Sequence, residues 1–216
     1  MSIAAHFAPY EHLANSLLPH AIEDVSDASH DAAHLLRVWK SVQIICETEG
    51  GDLKILAAAT VLHDCVDVPK GSPHRAQASR LAAEKATVLL SDLGWCKADI
   101  AAVYHAIEAH SFSARIEPET TEAKILQDAE RLDALGYIGI ARCFYVSGRL
   151  GSVPYDPVDP DAATRELDDL SYAIDHFKTK LLRLSGSFQT QTGQALAKVR
   201  HEGVEAFMNG FLDEVS

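Results

Sequence analysis

Apolar residues return at helical intervals along most of this chain. Leu35, Val38, Val42 and Ile45 step by three and four. Ile125, Leu132 and Leu135 fit one stripe, and Leu196, Val199, Phe207 and Phe211 fit another near the end. Such spacing lines one side of an α-helix, and no stretch alternates with the period of two that a half-buried strand requires. Stretches rich in Gly, Pro, Ser or Thr break the pattern at EGGD (49–52), VPKGSP (68–73), DLGWC (92–96), RIEPETT (115–121), SGRLGSVPYDPVDPD (147–161) and LSGSFQTQTG (184–193). The intervals between these breaks predict about eight or nine helices. No repeat, low-complexity tract or charge block divides the chain. The Pro-rich stretch near residue 155 resembles a linker, but the helices after it are too few for a second domain. The expectation is one all-α domain over residues 1–216, a helical bundle.

Certain polar residues interrupt the apolar stripes. His34 precedes Val38 by one helical turn. His63 and Asp64 close the segment LKILAAATVLHD, whose alanines Ala57, Ala58 and Ala59 let neighbouring helices come close, and Asp67 follows one turn after His63. Asp128 lies three residues after Ile125 and four before Leu132. An ionised carboxylate buried there is costly unless it is paired or bound to a cation. Each residue also has an ordinary structural account: a core histidine hydrogen-bonded to the backbone, or Asp128 paired with Lys124 or Arg131 on its own helix. Taken together, two His and two Asp from three segments make a nitrogen and oxygen donor set suited to Mn, Fe, Mg or a related divalent ion. Neighbouring side chains on a regular helix diverge by about 100°, so His63 and Asp64 can face one ion only where the helix ends.

Charge narrows the range of ligands. The chain has 216 residues, and 31 acidic against 19 basic residues give a formal charge of -12. That balance opposes a nucleic-acid polymer, whereas a small phosphorylated ligand needs only local donors and a cation. No apolar run of about 18 residues is present to span a bilayer, and the first 25 residues hold no Lys or Arg, so no membrane partner and a cytoplasmic address are expected. The four cysteines, Cys46, Cys65, Cys96 and Cys143, form no C-x-x-C pair and read as reduced thiols. The glycines of SGRLGS match no phosphate-loop pattern and read as a turn.

An adjacent His-Asp pair with an earlier His and a later Asp resembles the signature of the HD-domain metal-dependent phosphohydrolase superfamily. The ordered segments SHDAAHLLRVWK, LHD, HAIEAHSFS, TTEAKILQDAERLDALGYIGIAR, DHFKTKLLRL and MNGFLDE are similar to a stand-alone bacterial subgroup that includes nucleoside triphosphate pyrophosphohydrolases. The resemblance implies an all-α HD-type domain with His34, His63, Asp64 and Asp128 as metal ligands. His30, outside that quartet, reads as structural. Asp67 is implied as the acid that activates water. Lys70, Arg75 and Lys180 are implied as phosphate-binding residues. His105 and His110 are expected to reach the cavity by leaving the helix within AHSFS, and to contact substrate phosphate. Glu130 and Asp133 read as supporting or salt-bridging residues.

The implied activity is hydrolysis of a (deoxy)nucleoside triphosphate to monophosphate and pyrophosphate with a divalent ion, Mn²⁺ favoured and Mg²⁺ an alternative. The other readings are a nucleotidase-type phosphomonoesterase, a metal-dependent nucleotide sensor with little turnover, and a di-iron oxygenase. One metal or two, the base and sugar preference and the oligomeric state stay open at this point.

Overall fold

The computed structural model describes residues 2–21, 32–66, 68 and 75–215, with Arg75 described only in its backbone. His30, Asp67, Lys70 and the side chain of Arg75 lie outside the described residues. Among those described, the structure is helical and has no strand, the one β-type pairing being an isolated bridge between Val153 and Tyr172. The helices are α1 (Glu11–Ala21), α2 (Ala32–Glu49), α3 (Leu53–Leu62), α4 (Ala78–Asp92), α5 (Lys97–His110), α6 (Thr121–Asp133), α7 (Gly136–Leu150), α8 (Leu182–Leu184) and α9 (Gln191–Val215). The all-α class expected from the periodicity is what the chain adopts. Several predicted breaks coincide with helix ends: α2 stops at Glu49, α4 at Asp92, and α6 begins at Thr121.

The chain forms two compact units, Met1–Glu130 and Arg131–Ser216. The boundary falls inside α6 and not at the Pro-rich stretch near residue 155.

In the first unit α3 is the central element, packed against α1, α2, α4 and α5. Every residue from Ile55 to Leu62 is buried, and the three consecutive alanines leave room for neighbours on all sides. Its start is fixed by Asp52, whose Oδ1 accepts hydrogen bonds from the backbone N–H groups of Lys54 (2.8 Å) and Ile55 (3.4 Å), satisfying donors that a helix N-terminus otherwise leaves open. Gly51 sits at φ +101, and an added Cβ there would meet Ile125 Cδ1 at 3.2 Å, so both the turn and the approach of α6 ask for glycine. The helix stops at Leu62. His63 is its capping residue and Asp64 lies in the turn beyond, which frees the two side chains from the divergence a continuing helix would impose.

The second unit packs α7 against α9 and the segment Phe177–Leu184 around Leu135, Ile140, Cys143, Phe177, Leu181 and Val204. Phe144 lies 5.9 Å from both Phe177 and Phe211, measured between ring centroids. The glycine in the middle of GYIGIAR has a packing role: a Cβ on Gly139 would stand 2.3 Å from the Ala134 carbonyl oxygen. The stretch that resembled a linker is an ordered loop. Asp159 accepts the backbone N–H groups of Ala163 (2.8 Å), Thr164 (2.8 Å) and Arg165 (3.1 Å). The Arg165 guanidinium makes a two-pronged ion pair with buried Asp175.

Candidate metal centre

The first unit gathers its acid and imidazole groups around α3. His34, near the start of α2, and His63, at the end of α3, are both buried and bring their Nε2 atoms to 3.1 Å from each other. Glu130, on α6, places Oε2 at 3.4 Å from each of those nitrogens. Asp64 lies between two imidazoles, with Oδ2 at 3.5 Å from His63 Nε2 and Oδ1 at 3.5 Å from His110 Nε2. The donor atoms form two overlapping groups, His34 with His63 and Glu130, and His63 with Asp64 and His110, each within 4.8 Å throughout.

Two histidines are oriented by the same local device. His63 Nδ1 is 2.8 Å from the Thr60 carbonyl and His110 Nδ1 is 2.6 Å from the Ile107 carbonyl, each oxygen three residues earlier in the chain. With Nδ1–H donating to the backbone, the lone pair of a neutral ring sits on Nε2, the atom turned toward the carboxylates. The rings of His63 and His110 meet edge to face at 4.9 Å.

This arrangement fits a divalent ion. Ligand atoms about 2.1 Å from a common ion and at right angles to each other are about 3.0 Å apart, close to the 3.1–3.5 Å spacings here. Glu130 Oε2 is also a buried oxygen with no hydrogen-bond partner, as expected of a group meant for a cation. Without an ion, a proton takes that place. Burial disfavours a charged His63, but Asp64 and Glu130 outweigh it, with help from the Thr60 carbonyl, and push the imidazole up to about 9. For Glu130, burial would raise the carboxyl, yet His34 and His63 hold it below the usual carboxylate range.

The expected residues are distributed unevenly. His34, His63 and Asp64 come together. Asp128 is fully buried on α6 but belongs to neither donor group; the α6 carboxylate beside His34 and His63 is that of Glu130. Glu130 follows Leu126 by one turn, and both Leu126 and Ala123 are fully buried. A stripe drawn through Ile125 and Leu132 alone misses that second buried side of the helix. His105 and His110 both remain within α5, contrary to the expected break between them. Five residues on a helix turn them apart by about 140°, so His110 faces the cluster and His105 does not join it. His105 Nε2 instead accepts the Glu119 N–H at 2.9 Å, and Nδ1 lies 3.3 Å from Glu108 Oε1. Lys180 belongs to the second unit, near Cys143, whose thiol is pushed up to about 11 by burial against the opposing influence of Ser147 and Lys180. Arg131 donates to the Ser187 carbonyl and Asp133 pairs with Arg142.

An all-helical protein with a histidine and carboxylate centre of this kind falls in a recognisable class. The HD domain family matches residues 31–135, and the YpgQ protein of Bacillus subtilis is 34% identical over 185 residues, covering 84% of this chain and 82% of that protein. The chain belongs to the HD-domain superfamily. It is similar to a crystal structure of an HD-superfamily hydrolase from Bacillus thuringiensis, with 32% identity, a TM-score of 0.70, and coverage of 94% of this chain and 96% of that one. It is likewise similar to Bacillus subtilis YpgQ crystallised in complex with ADP, with 31% identity, a TM-score of 0.71, and coverage of 94% and 97%. No helix among the described residues is long and apolar enough to cross a membrane.

Proposed function

We propose that the protein is a metal-dependent nucleotide phosphohydrolase that cleaves a (deoxy)nucleoside triphosphate to monophosphate and pyrophosphate, with Mn²⁺ favoured over Mg²⁺. The observation that carries this reading is the convergence of His34, His63, Asp64 and Glu130, with a buried carboxylate oxygen that has no hydrogen-bond partner. The ADP bound by a similar YpgQ structure supports a nucleotide as ligand. In this reading Glu130 takes the place of Asp128 as the carboxylate that α6 contributes to the ion.

When bound, a divalent ion lowers the pKa of a coordinated water and polarises a phosphoryl oxygen. The protein supplies the rest. His63 and His110 are fixed by the carbonyls of Thr60 and Ile107, which keep their Nε2 atoms directed inward without reorganisation. His110, beside Asp64 and outside the first donor group, contacts a phosphate oxygen. Asp67, three residues after Asp64, accepts the proton of the attacking water. Lys70 and Arg75 neutralise phosphate charge. The address is cytoplasmic, where nucleoside triphosphates are abundant.

The test is a nucleotide panel with purified protein and Mn²⁺, with products separated. Pyrophosphate and monophosphate support the proposal. Orthophosphate from a monophosphate points to a phosphomonoesterase, and binding without product points to a sensor. The second donor group, His63 with Asp64 and His110, which overlaps the first at His63, favours one further reading, a two-ion centre. Two irons per chain by metal analysis, with oxygen consumption, would favour oxidation over hydrolysis.

A further inference from the structure

Among the described residues, helix α4 contributes no member to either donor group, yet it grips the turn that carries Asp64. Asp64 lies beyond the end of α3, where no helical backbone holds it, and its side chain is 31% exposed, so burial does not hold it either. Its carboxylate nonetheless stands 3.5 Å from His63 Nε2 and 3.5 Å from His110 Nε2. The next residue supplies the constraint. Cys65 is buried, and each of its polar groups has a partner: its N–H donates to the Leu62 carbonyl at 3.1 Å, its thiol donates to the Ala82 carbonyl at 3.6 Å, and its own carbonyl accepts from the Lys85 ammonium at 2.9 Å. The first bond closes the turn after α3. The other two fasten that turn to α4. A thiol is a weak donor and an ammonium a strong one, so Lys85 makes the firmer of the two attachments.

The same helix also holds α5. Ser79, three residues before Ala82, donates its hydroxyl to the Glu108 carbonyl at 2.9 Å, and Glu108 lies two residues before His110. Ala82, Ala83 and Ala86 are buried, and their small side chains let α4 pack closely enough for these bonds to form. Ser79, Ala82 and Lys85 follow one another at intervals of three, which places neighbours in this row about one helical turn apart. Through this row α4 touches the chain on both sides of the second donor group, beside Asp64 at Cys65 and beside His110 at Glu108.

We propose that Lys85 is a positioning residue for the metal centre: by holding the Cys65 carbonyl it fixes Asp64 at the spacing from His63 and His110 that suits an ion. This role rests on the reading of the donor cluster as a divalent-ion site. Its effect has a distinctive sign. A lysine cation attached one residue along from a metal ligand repels the metal, so a Lys85 that acted through charge alone would, on removal, let the ion bind more tightly. A Lys85 that acts by position has the opposite effect, because Asp64 loses its brace when the bond is lost.

The experiment measures Mn²⁺ binding to the full, metal-free chain by calorimetry, without nucleotide, in two variants. Lys85→Met keeps the aliphatic stem and loses the donor; Lys85→Arg keeps a donor. Lys85→Met should weaken Mn²⁺ binding by about tenfold, and Lys85→Arg should recover most of that loss. Urea unfolding of both metal-free variants should stay cooperative, with little change in midpoint. In turnover, Lys85→Met should need more Mn²⁺ to reach its maximum rate, with KM for nucleotide unchanged. Equal or tighter Mn²⁺ binding in Lys85→Met overturns the proposal, as does a raised KM with Mn²⁺ affinity intact, which would assign Lys85 to the substrate. A loss of affinity that Lys85→Arg does not recover, or that accompanies a loss of cooperative unfolding, overturns it as well, since a general disturbance of the fold explains both. If the unaltered protein binds Mn²⁺ but turns over no nucleotide, the phosphohydrolase reading fails and Lys85 is still judged by the Mn²⁺ affinities. If it binds no divalent ion, the metal centre fails and the role of Lys85 fails with it.

Discussion

Each unit holds a group of acidic and basic residues, and the two groups are resolved in opposite ways. In the second unit the carboxylates of Asp159 and Asp175 are matched by donors. Asp159 takes backbone N–H groups from Thr164, Ala163 and Arg165 and the Thr164 hydroxyl, which hold its carboxyl at about 2. Asp175 takes both prongs of Arg165 and the Asp168 N–H at 2.7 Å. In the first unit, His34 and His63 direct Nε2 atoms at each other across 3.1 Å, and Glu130 Oε2 has no hydrogen-bond partner. Buried polar groups are ordinarily paired, and a buried carboxylate oxygen set between two imidazole nitrogens calls for a shared proton or cation. Burial of charge is common to both groups; among the described residues, the first holds the buried carboxylate oxygen that has no hydrogen-bond partner.

The strongest way to break this comparison is to remove one member from each side. Glu130→Ala should weaken metal binding a hundredfold or more and abolish turnover with it, while the metal-free protein still unfolds cooperatively; metal content and calorimetry read the outcome. Should Glu130→Ala keep its metal while Asp128→Ala loses it, the α6 ligand is Asp128. Asp175→Ala should do the reverse. Leaving Arg165 without its partner costs about 3 kcal/mol of stability, seen in urea unfolding, with metal stoichiometry per folded chain unchanged.

Acidity gives a finer test. The His63 pKa is raised in the metal-free fold to about 9, so its contribution to stability is complete below the unfolded value of about 6.5 and is lost as pH rises through 9. An ion requires the neutral ring and must displace that proton, so its affinity should tighten over the same window, by at most about tenfold per pH unit. Calorimetry in buffers of different ionisation enthalpy should detect the released proton near pH 7.5. A flat affinity between pH 6.5 and 9 would rule out His63 as the group displaced. The smallest expected effect comes from a satisfied carboxylate in the first unit. Asp52→Ala removes the cap of α3 and should cost about 1 kcal/mol, without altering metal affinity beyond that loss.

Much of the fold was legible because helical periodicity and Gly or Pro breaks are local properties. The stops at Glu49 and Asp92 and the start at Thr121 follow from residues within a few positions of each boundary. The His63-Asp64 pair was legible too, since two adjacent polar residues closing an apolar helix can turn to one side only at its end. Glu130 was harder to read. Its helix is buried on more than one side, at Leu126 as well as Ile125, and a single stripe cannot rank Glu130 against Asp128. The histidines of α5 misled for a related reason: AHSFS suggested an earlier helix end, whereas α5 continues to His110 and sends His105 to a different neighbour.

By itself, then, the sequence determined the helical class, several helix boundaries and the residue types of an HD-type centre, because these depend on short-range spacing and side-chain chemistry. Tertiary structure alone decided which carboxylate of α6 meets His34 and His63, which histidine of α5 faces Asp64, and that the Asp-rich loop satisfies itself. Those choices depend on the rotation of each helix about its own axis, which is set by packing against residues distant in the chain.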